Sequence, residues 1–466
     1  MKKFTKILIC LMLCVFSFGF VACDNRTEDE KNFTYPSSSD SIYGNGGLAV
    51  QKGNYVYFVN GYKSVAGLND GNKKDSYLVG SLMLMKLGNN GQVVTDDGLL
   101  DDDYYITMSN ALCGYEATNL FIHGDYLYFV TPSLENETGD KVWAKERVNF
   151  NRIKLNKKGK VETVYSSGVQ FSNLEFEYYD QNGSLFILVH EKGDSYYEDY
   201  GKDALIRVDA GAKSSGVVAN NVSSVAFADN GNEIFFVQDD AANSKYSLKK
   251  YNVSNNNVED FHTFNETFMV KFVCDEKVYI LKDHKNLDGY ADLMVSSFDD
   301  KSFAEVYSYK GNASDTAVKF KQAPDNSAIA IVVDKSLSLI INNEVVAVKN
   351  GSATDIIGFT NGCVVYYETT DNNTIIKKVS YSNYIAGTQE EPTVLATLSV
   401  ISEDYACFDL GDDDDYVYFY NKIGNNYYLN RLKVNNNLGE AEEMFGVYES
   451  ADAPVVDDDV EDEDED

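Results

Sequence analysis

Carboxylates and aromatic rings are the reactive material this chain holds in quantity. It carries 73 Asp and Glu against 40 Lys and Arg, a formal net charge of -33, with 34 Tyr and 26 Phe beside a single Trp and only 4 His. Several of these groups gather in long polar stretches between apolar runs. Tyr62 and Tyr77 lie in one stretch, Asp101, Asp102, Asp103, Tyr104 and Tyr105 in a second, Trp143 in a third, and Tyr196, Tyr197 and Tyr200 in a fourth. Rings of this kind stack on sugar faces or apolar groups, and the carboxylates beside them attract cations. The chemistry expected of the set is non-covalent capture of a protein, peptide or glycan.

Covalent and metal chemistry find less support. His123, His190, His262 and His284 form no H-E-x-x-H pair and adjoin no nucleophile motif. Asp101 to Asp103 and Asp412 to Asp415 miss the D-x-D-x-D-G spacing with its distal Glu. Consecutive carboxylates on an extended segment point alternately to opposite sides, so these runs read as solvated turns. Gly44 to Gly47 precedes a strand rather than a helix, so it is no phosphate cradle. Cys113, Cys274, Cys363 and Cys407 stand at no metal-ligand spacing and read as buried thiols, with disulfides the alternative that an even count in an exported protein leaves open. No metal or cofactor is therefore expected. Two acids facing each other across a central channel would make a glycoside hydrolase or polysaccharide lyase, an alternative that sequence spacing leaves open.

The elements that must position these stretches announce themselves by repetition. GNYVYFVN at Gly53 returns as GDYLYFVT at Gly124, GSLFILVH at Gly183, GNEIFFVQ at Gly231, EKVYILKD at Glu276, SAIAIVVD at Ser327, GCVVYYET at Gly362 and DDYVYFYN at Asp414. Each is a turn followed by an unbroken run of β-branched and aromatic residues, too short for a buried helix. An unbroken apolar run implies a strand covered on both faces. Around each copy the text parses as four strands. In the fourth unit these are Ser223 to Ala228, Glu233 to Gln238, Tyr246 to Val253 and a strand from Val258; in the sixth, Ala317 to Lys321, Ala328 to Val333, Ser336 to Ile341 and Glu344 to Val348. Eight such units predict an all-β chain folded as a β-propeller of eight four-stranded blades, with seven as the alternative. In such a ring the second-to-third and fourth-to-first connections share one face. The stretches 61–80, 95–113, 131–148 and 191–203 pool there as an acidic, aromatic rim on the first three blades, where binding usually resides.

Two resemblances sharpen this reading. Val225 to Ile234 (VAFADNGNEI) and Lys321 to Ala330 (KQAPDNSAIA) resemble the S-P-D-G-x-x-I-A turn of Tol-B-type propellers. The G-x-Y-x-Y-F copies at Gly53 and Gly124 resemble bacterial lipoprotein propellers of unknown function that are compared with the low-density-lipoprotein-receptor propeller. These resemblances imply a fold and a surface class and bring no catalytic residues. At the N-terminus, Lys2, Lys3 and Lys6 precede an apolar run ending in Phe20-Val21-Ala22-Cys23, which resembles the lipobox of bacterial lipoproteins. The resemblance implies cleavage before Cys23 and lipidation of its thiol.

The expected organisation is a signal peptide over 1–22, a flexible tether over 23–41, the propeller over 42–450 and a disordered acidic tail over 451–466, in which nine of the last ten residues are acidic. A surface so negative repels phosphate backbones and anionic headgroups, so neither nucleic acid nor a polybasic membrane patch is expected. The membrane contact is the lipid alone. The function expected is that of a monomeric, non-enzymatic binding module held in the bacterial cell envelope on its outer side; a structural role in envelope assembly is the third alternative.

Overall fold

The computed structural model describes residues 33–60, 81–96, 99–100, 104–112, 119–133, 144–166, 173–181, 183–192, 204–209, 216–228, 230–240, 243, 245–311, 318–325, 327–349, 351–370, 373–399, 408–410, 415–423, 426–435 and 439–446. They form eight antiparallel meanders, taken in chain order as blades one to eight. The second strand of each blade is the repeated run: Tyr55–Val59, Tyr126–Ser133, Ser184–Lys192, Glu233–Asp240, Lys277–Asp283, Ile329–Val333, Cys363–Thr369 and Tyr416–Ile423. Blade four, with strands Val222–Phe227, Glu233–Asp240, Lys245–Asn252 and Asn257–Phe264, matches the sequence parse to within a residue or two at most boundaries.

Side-chain alternation explains why the repeated run has no polar face. In blade one, Tyr55, Tyr57 and Val59 pack against Leu127 and Phe129 of blade two. Val56 and Phe58, on the other side of the same strand, meet Tyr418, Tyr420 and Phe445 of blade eight. Blade four repeats the scheme, with Ile234 and Phe236 turned to blade three and Phe235 and Val237 to blade five. Each blade thus shares one apolar cluster with the blade before it and another with the blade after it, all the way round. Every central strand is covered on both faces, the condition the unbroken runs require.

The ring closes without exchanging a strand. Blade eight is built entirely from the C-terminal side, as Phe408–Asp409, Tyr416–Ile423, Asn426–Lys433 and Glu442–Gly446. Closure rests on its packing against blade one and on side chains that reach across. Tyr420 donates to the carbonyl of Val59 at 2.6 Å, Tyr418 to Oε1 of Gln51 at 3.3 Å, and Arg431 to the carbonyl of Gly91.

Two features depart from the sequence reading. Within 33–41, expected in the flexible tether, Phe33 and Pro36 are buried and several groups are held against blade one. Phe33 is buried against Tyr55, Thr34 and the Tyr55 hydroxyl lie 2.7 Å apart, and Lys52 Nζ bonds the carbonyls of Ser38 and Asp40. Ile42–Tyr43 then adds a fifth, inner strand to blade one beside Ala49–Lys52. The second departure is the segment from Thr95 to Leu112. It holds the hairpin Thr95–Asp96 and Leu99–Leu100, followed by Tyr105–Leu112, the fourth strand of blade one.

Candidate functional site

The meander sorts the connections onto two ends. First-to-second and third-to-fourth turns leave one end of each blade; second-to-third connections and the links to the next blade leave the other. At that second end the blades differ. Between second and third strands, residues 60–80, 134–143 and 193–203 join blades one, two and three, whereas 241–244, 284–289, 334–335, 370–372 and 424–425 close the remaining five. The three longest second-to-third connections therefore arise on three consecutive blades at one end.

The expected site residues divide across these ends. Tyr62, Tyr77, Trp143, Tyr196, Tyr197 and Tyr200 belong to the three long connections and lie outside the described residues, as do Asp101, Asp102 and Asp103. Tyr104 and Tyr105 are described, and both follow the third-to-fourth connection of blade one, at the opposite end from 60–80. Tyr105 is buried, its ring set edge-on against Phe445 of blade eight with centroids 5.1 Å apart. This corrects the pooling of 95–113 with the other stretches: Tyr105 packs blade on blade, and Tyr104 stands at the end of blade one opposite its second-to-third connection. Cys23 and the acidic tail also lie outside the described residues. Of the body thiols, Cys274 is buried and Cys363 half-buried, and neither is in a disulfide.

The imidazoles are held rather than poised. Nδ1 of His284 lies 2.7 Å from Oδ2 of Asp292, while Ser308 donates its hydroxyl to Oδ1 of the same carboxylate. The three residue types of a hydrolytic triad are present in the wrong order, because serine and imidazole both address the carboxylate and no hydroxyl is activated. His123 Nδ1 lies 3.1 Å from Asp180 across the blade two–three interface, its buried Nε2 meeting no partner in the described residues. His262 lies against Phe264, the rings tilted by 48° with centroids 4.4 Å apart. No group of three His, Cys, Asp or Glu side chains among the described residues is placed to hold a metal ion.

Two buried guanidinium groups escaped the sequence reading. Arg152 and Arg431 occupy the same place on the third strands of blades two and eight. Each is paired with a fourth-strand glutamate, Glu162 at 3.1 Å or Glu442 at 2.7 Å, and lies over a second-strand tyrosine ring, Tyr126 at 4.0 Å or Tyr416 at 4.3 Å. Their signal was a second repeat, Asn-Arg-Ile-Lys at Asn151 and Asn-Arg-Leu-Lys at Asn430, each following an Asp-Tyr-x-Tyr-Phe run. Arg431 also reaches blade one through Gly91, while Glu442 accepts the Val93 amide at 3.2 Å, so this pair serves ring closure.

A cleft of about 260 Å³ opens between blades five and six, at the end of the first-to-second turns. Ile329 and Ile340 form its apolar floor, and Ile385 lines it from the short helix Tyr381–Ile385. Asp275, Lys277 and Asp325 supply its charges. Burial acts against ionisation of Asp325, but hydrogen bonds from the Ser327 hydroxyl (2.6 Å) and amide (3.1 Å) and from Tyr381 outweigh it and hold the carboxyl below its usual range. Tyr381, half of that pair, is pushed up to about 12 by burial and by the same carboxylate.

No sequence-family model matches the chain, and no curated protein matches it. Solved structures are similar in shape. A prolyl endopeptidase is 8% identical with a TM-score of 0.45, over 70% of this chain and 49% of its own. The β-propeller domain of the Trilobed protease from Pyrococcus furiosus is 10% identical with a TM-score of 0.44, over 71% and 98%. TolB from Acinetobacter baumannii is 10% identical with a TM-score of 0.35, over 63% and 77%. The chain spans about half the length of the prolyl endopeptidase it matches. No residue role is carried over from these proteins.

Proposed function

We propose that this chain is a lipid-anchored, extracytoplasmic binding module that captures a protein, peptide or glycan on the end formed by the long connections of blades one to three. The observation that carries the reading is the placement of 60–80, 134–143 and 193–203 on neighbouring blades at one end. Long connections on a rigid ring are where recognition is usually built. Tyr62, Tyr77, Trp143, Tyr196, Tyr197 and Tyr200 supply the rings to stack on such a ligand.

The point where the chain enters the ring supports the orientation. Thr34 meets the Tyr55 hydroxyl and Gly53 donates to Ser41, both at the end of the first-to-second turns. A lipid on Cys23 would then tether the molecule by that end and turn the long connections away from the bilayer. One acyl chain alone binds marginally, so an anchor of several chains is implied. Replacing Cys23→Ala should move the protein from the membrane fraction to the soluble one.

Glycan-array and pull-down screens, with and without calcium, identify the ligand. Replacing 61–80 and 193–203 with short turns should then abolish capture while leaving the thermal transition almost unchanged. Capture that survives both replacements would contradict the assignment.

A further inference from the structure

The cleft between blades five and six lies at the opposite end from the long connections, so what it does is separable from the site proposed above. It combines three features that single out one kind of occupant. Its floor is apolar and fixed: Ile329 and Ile340 are 4% and 3% exposed, held in the cluster shared by blades five and six. It is also lined by an exposed apolar side chain, Ile385, 44% exposed at the end of the short helix. Its charged groups are two carboxylates, Asp275 and Asp325, against one ammonium, Lys277. The turn Asn342–Asn343 closes the far side with both residues left-handed at φ 53° and 66°, and the Tyr279 hydroxyl fixes the Asn343 side chain at 2.7 Å. The walls thus combine isoleucine side chains with two carboxylates and one ammonium.

A wholly apolar occupant would cover the Asp325 carboxylate with only the Ser327 and Tyr381 donors to offset its charge, and an anion would meet two carboxylates. A side chain with an aliphatic stem and a cationic head satisfies both halves, laying the stem across isoleucines while the head reaches a carboxylate. The whole-chain charge of -33 favours the same sign of partner. The volume admits one long side chain rather than a folded element. We propose that this cleft receives a lysine or arginine side chain from an extended segment of a partner protein, its stem on Ile329, Ile340 and Ile385 and its head at Asp325.

The test uses the full chain with isoleucine methyl groups labelled for nuclear magnetic resonance, titrated with blocked tripeptides Ala-Lys-Ala, Ala-Arg-Ala and Ala-norleucine-Ala. The cationic tripeptides should shift the methyls of Ile329, Ile340 and Ile385 saturably, at least ten-fold more tightly than the norleucine peptide. Asp325→Asn should remove that preference, and Ile385→Ser, at an exposed position, should weaken both cationic peptides. Equal binding of norleucine, an unchanged preference in Asp325→Asn, or shifts confined to other methyls would overturn the proposal. Spermidine binding as tightly as the lysine peptide would also overturn it, by assigning the cleft to a free polyamine. The wild-type comparison between lysine and norleucine decides the matter even if a variant folds poorly. Loss of this preference would leave the capture proposed for blades one to three untouched.

Discussion

Arg431 is almost wholly buried, and what keeps its charge tolerable is Glu442 on one side and the Tyr416 ring on the other. Removing one member of such a pair leaves an uncompensated charge in the interior, which costs about 3–5 kcal/mol where both partners are buried. Glu442 is 38% exposed, so water relieves part of that cost. Glu442→Gln should lower stability by about 2–3 kcal/mol, read from urea unfolding, and Glu442→Ala by no less. A smaller case runs the other way. Burial raises the Asp355 carboxyl above its ordinary value despite the Ile356 amide and Lys319, so the folded chain holds that proton more tightly than the unfolded chain does. The stabilisation tied to the proton is complete below the ordinary carboxyl range and is lost as pH rises through the raised value. Asp355→Asn should therefore unfold later than the parent at neutral pH, with the two converging as pH falls below about 4. Convergence at neutral pH and divergence in acid would contradict the sign. Neither residue stood out in the sequence, because a lone Arg or Asp within a strand carries no mark of what its neighbours in space will be.

Strands and turns were far more legible. The sixth blade was readable nearly to the residue, Ser336–Ile341 and Glu344–Lys349 among them, because unbroken apolar runs and two-residue turns repeat there without interruption. The fourth strand of blade one was not. Tyr105–Leu112 mixes Thr, Ser and Asn with its apolar residues and lacks the glycine-led turn that opens the repeated run, so an outer strand resembled a loop. Phe33 and Tyr35 misled for a related reason: two isolated rings in a polar stretch signal nothing until Tyr55 is seen beside them. At this scale two substitutions are informative. The hairpin at Asp334 and Lys335 holds both residues left-handed, at φ 46° and 60°, so exchanging the pair for Asn-Gly should raise stability by about 1 kcal/mol. Gly358 is the reverse case: a methyl group there would stand 2.6 Å from the Leu410 carbonyl of blade eight. Gly358→Ala should cost about 1–3 kcal/mol by forcing first strands of neighbouring blades apart.

For the whole molecule, closing the ring decides which connections share an end and so where a partner can dock. The eight shared clusters leave blade eight facing blade one through Phe58, Tyr105 and Phe445 rather than through a common strand. Phe58 and Phe445 lie far apart in the chain, yet their ring centroids are 5.2 Å apart across the closure. A double-mutant cycle of Phe58→Leu and Phe445→Leu, read by equilibrium unfolding, measures their coupling directly. Closure as described predicts an interaction of about 0.5–1.5 kcal/mol between them. Additivity of the two substitutions within about 0.3 kcal/mol would mean that the first and last blades do not meet, contradicting the ring.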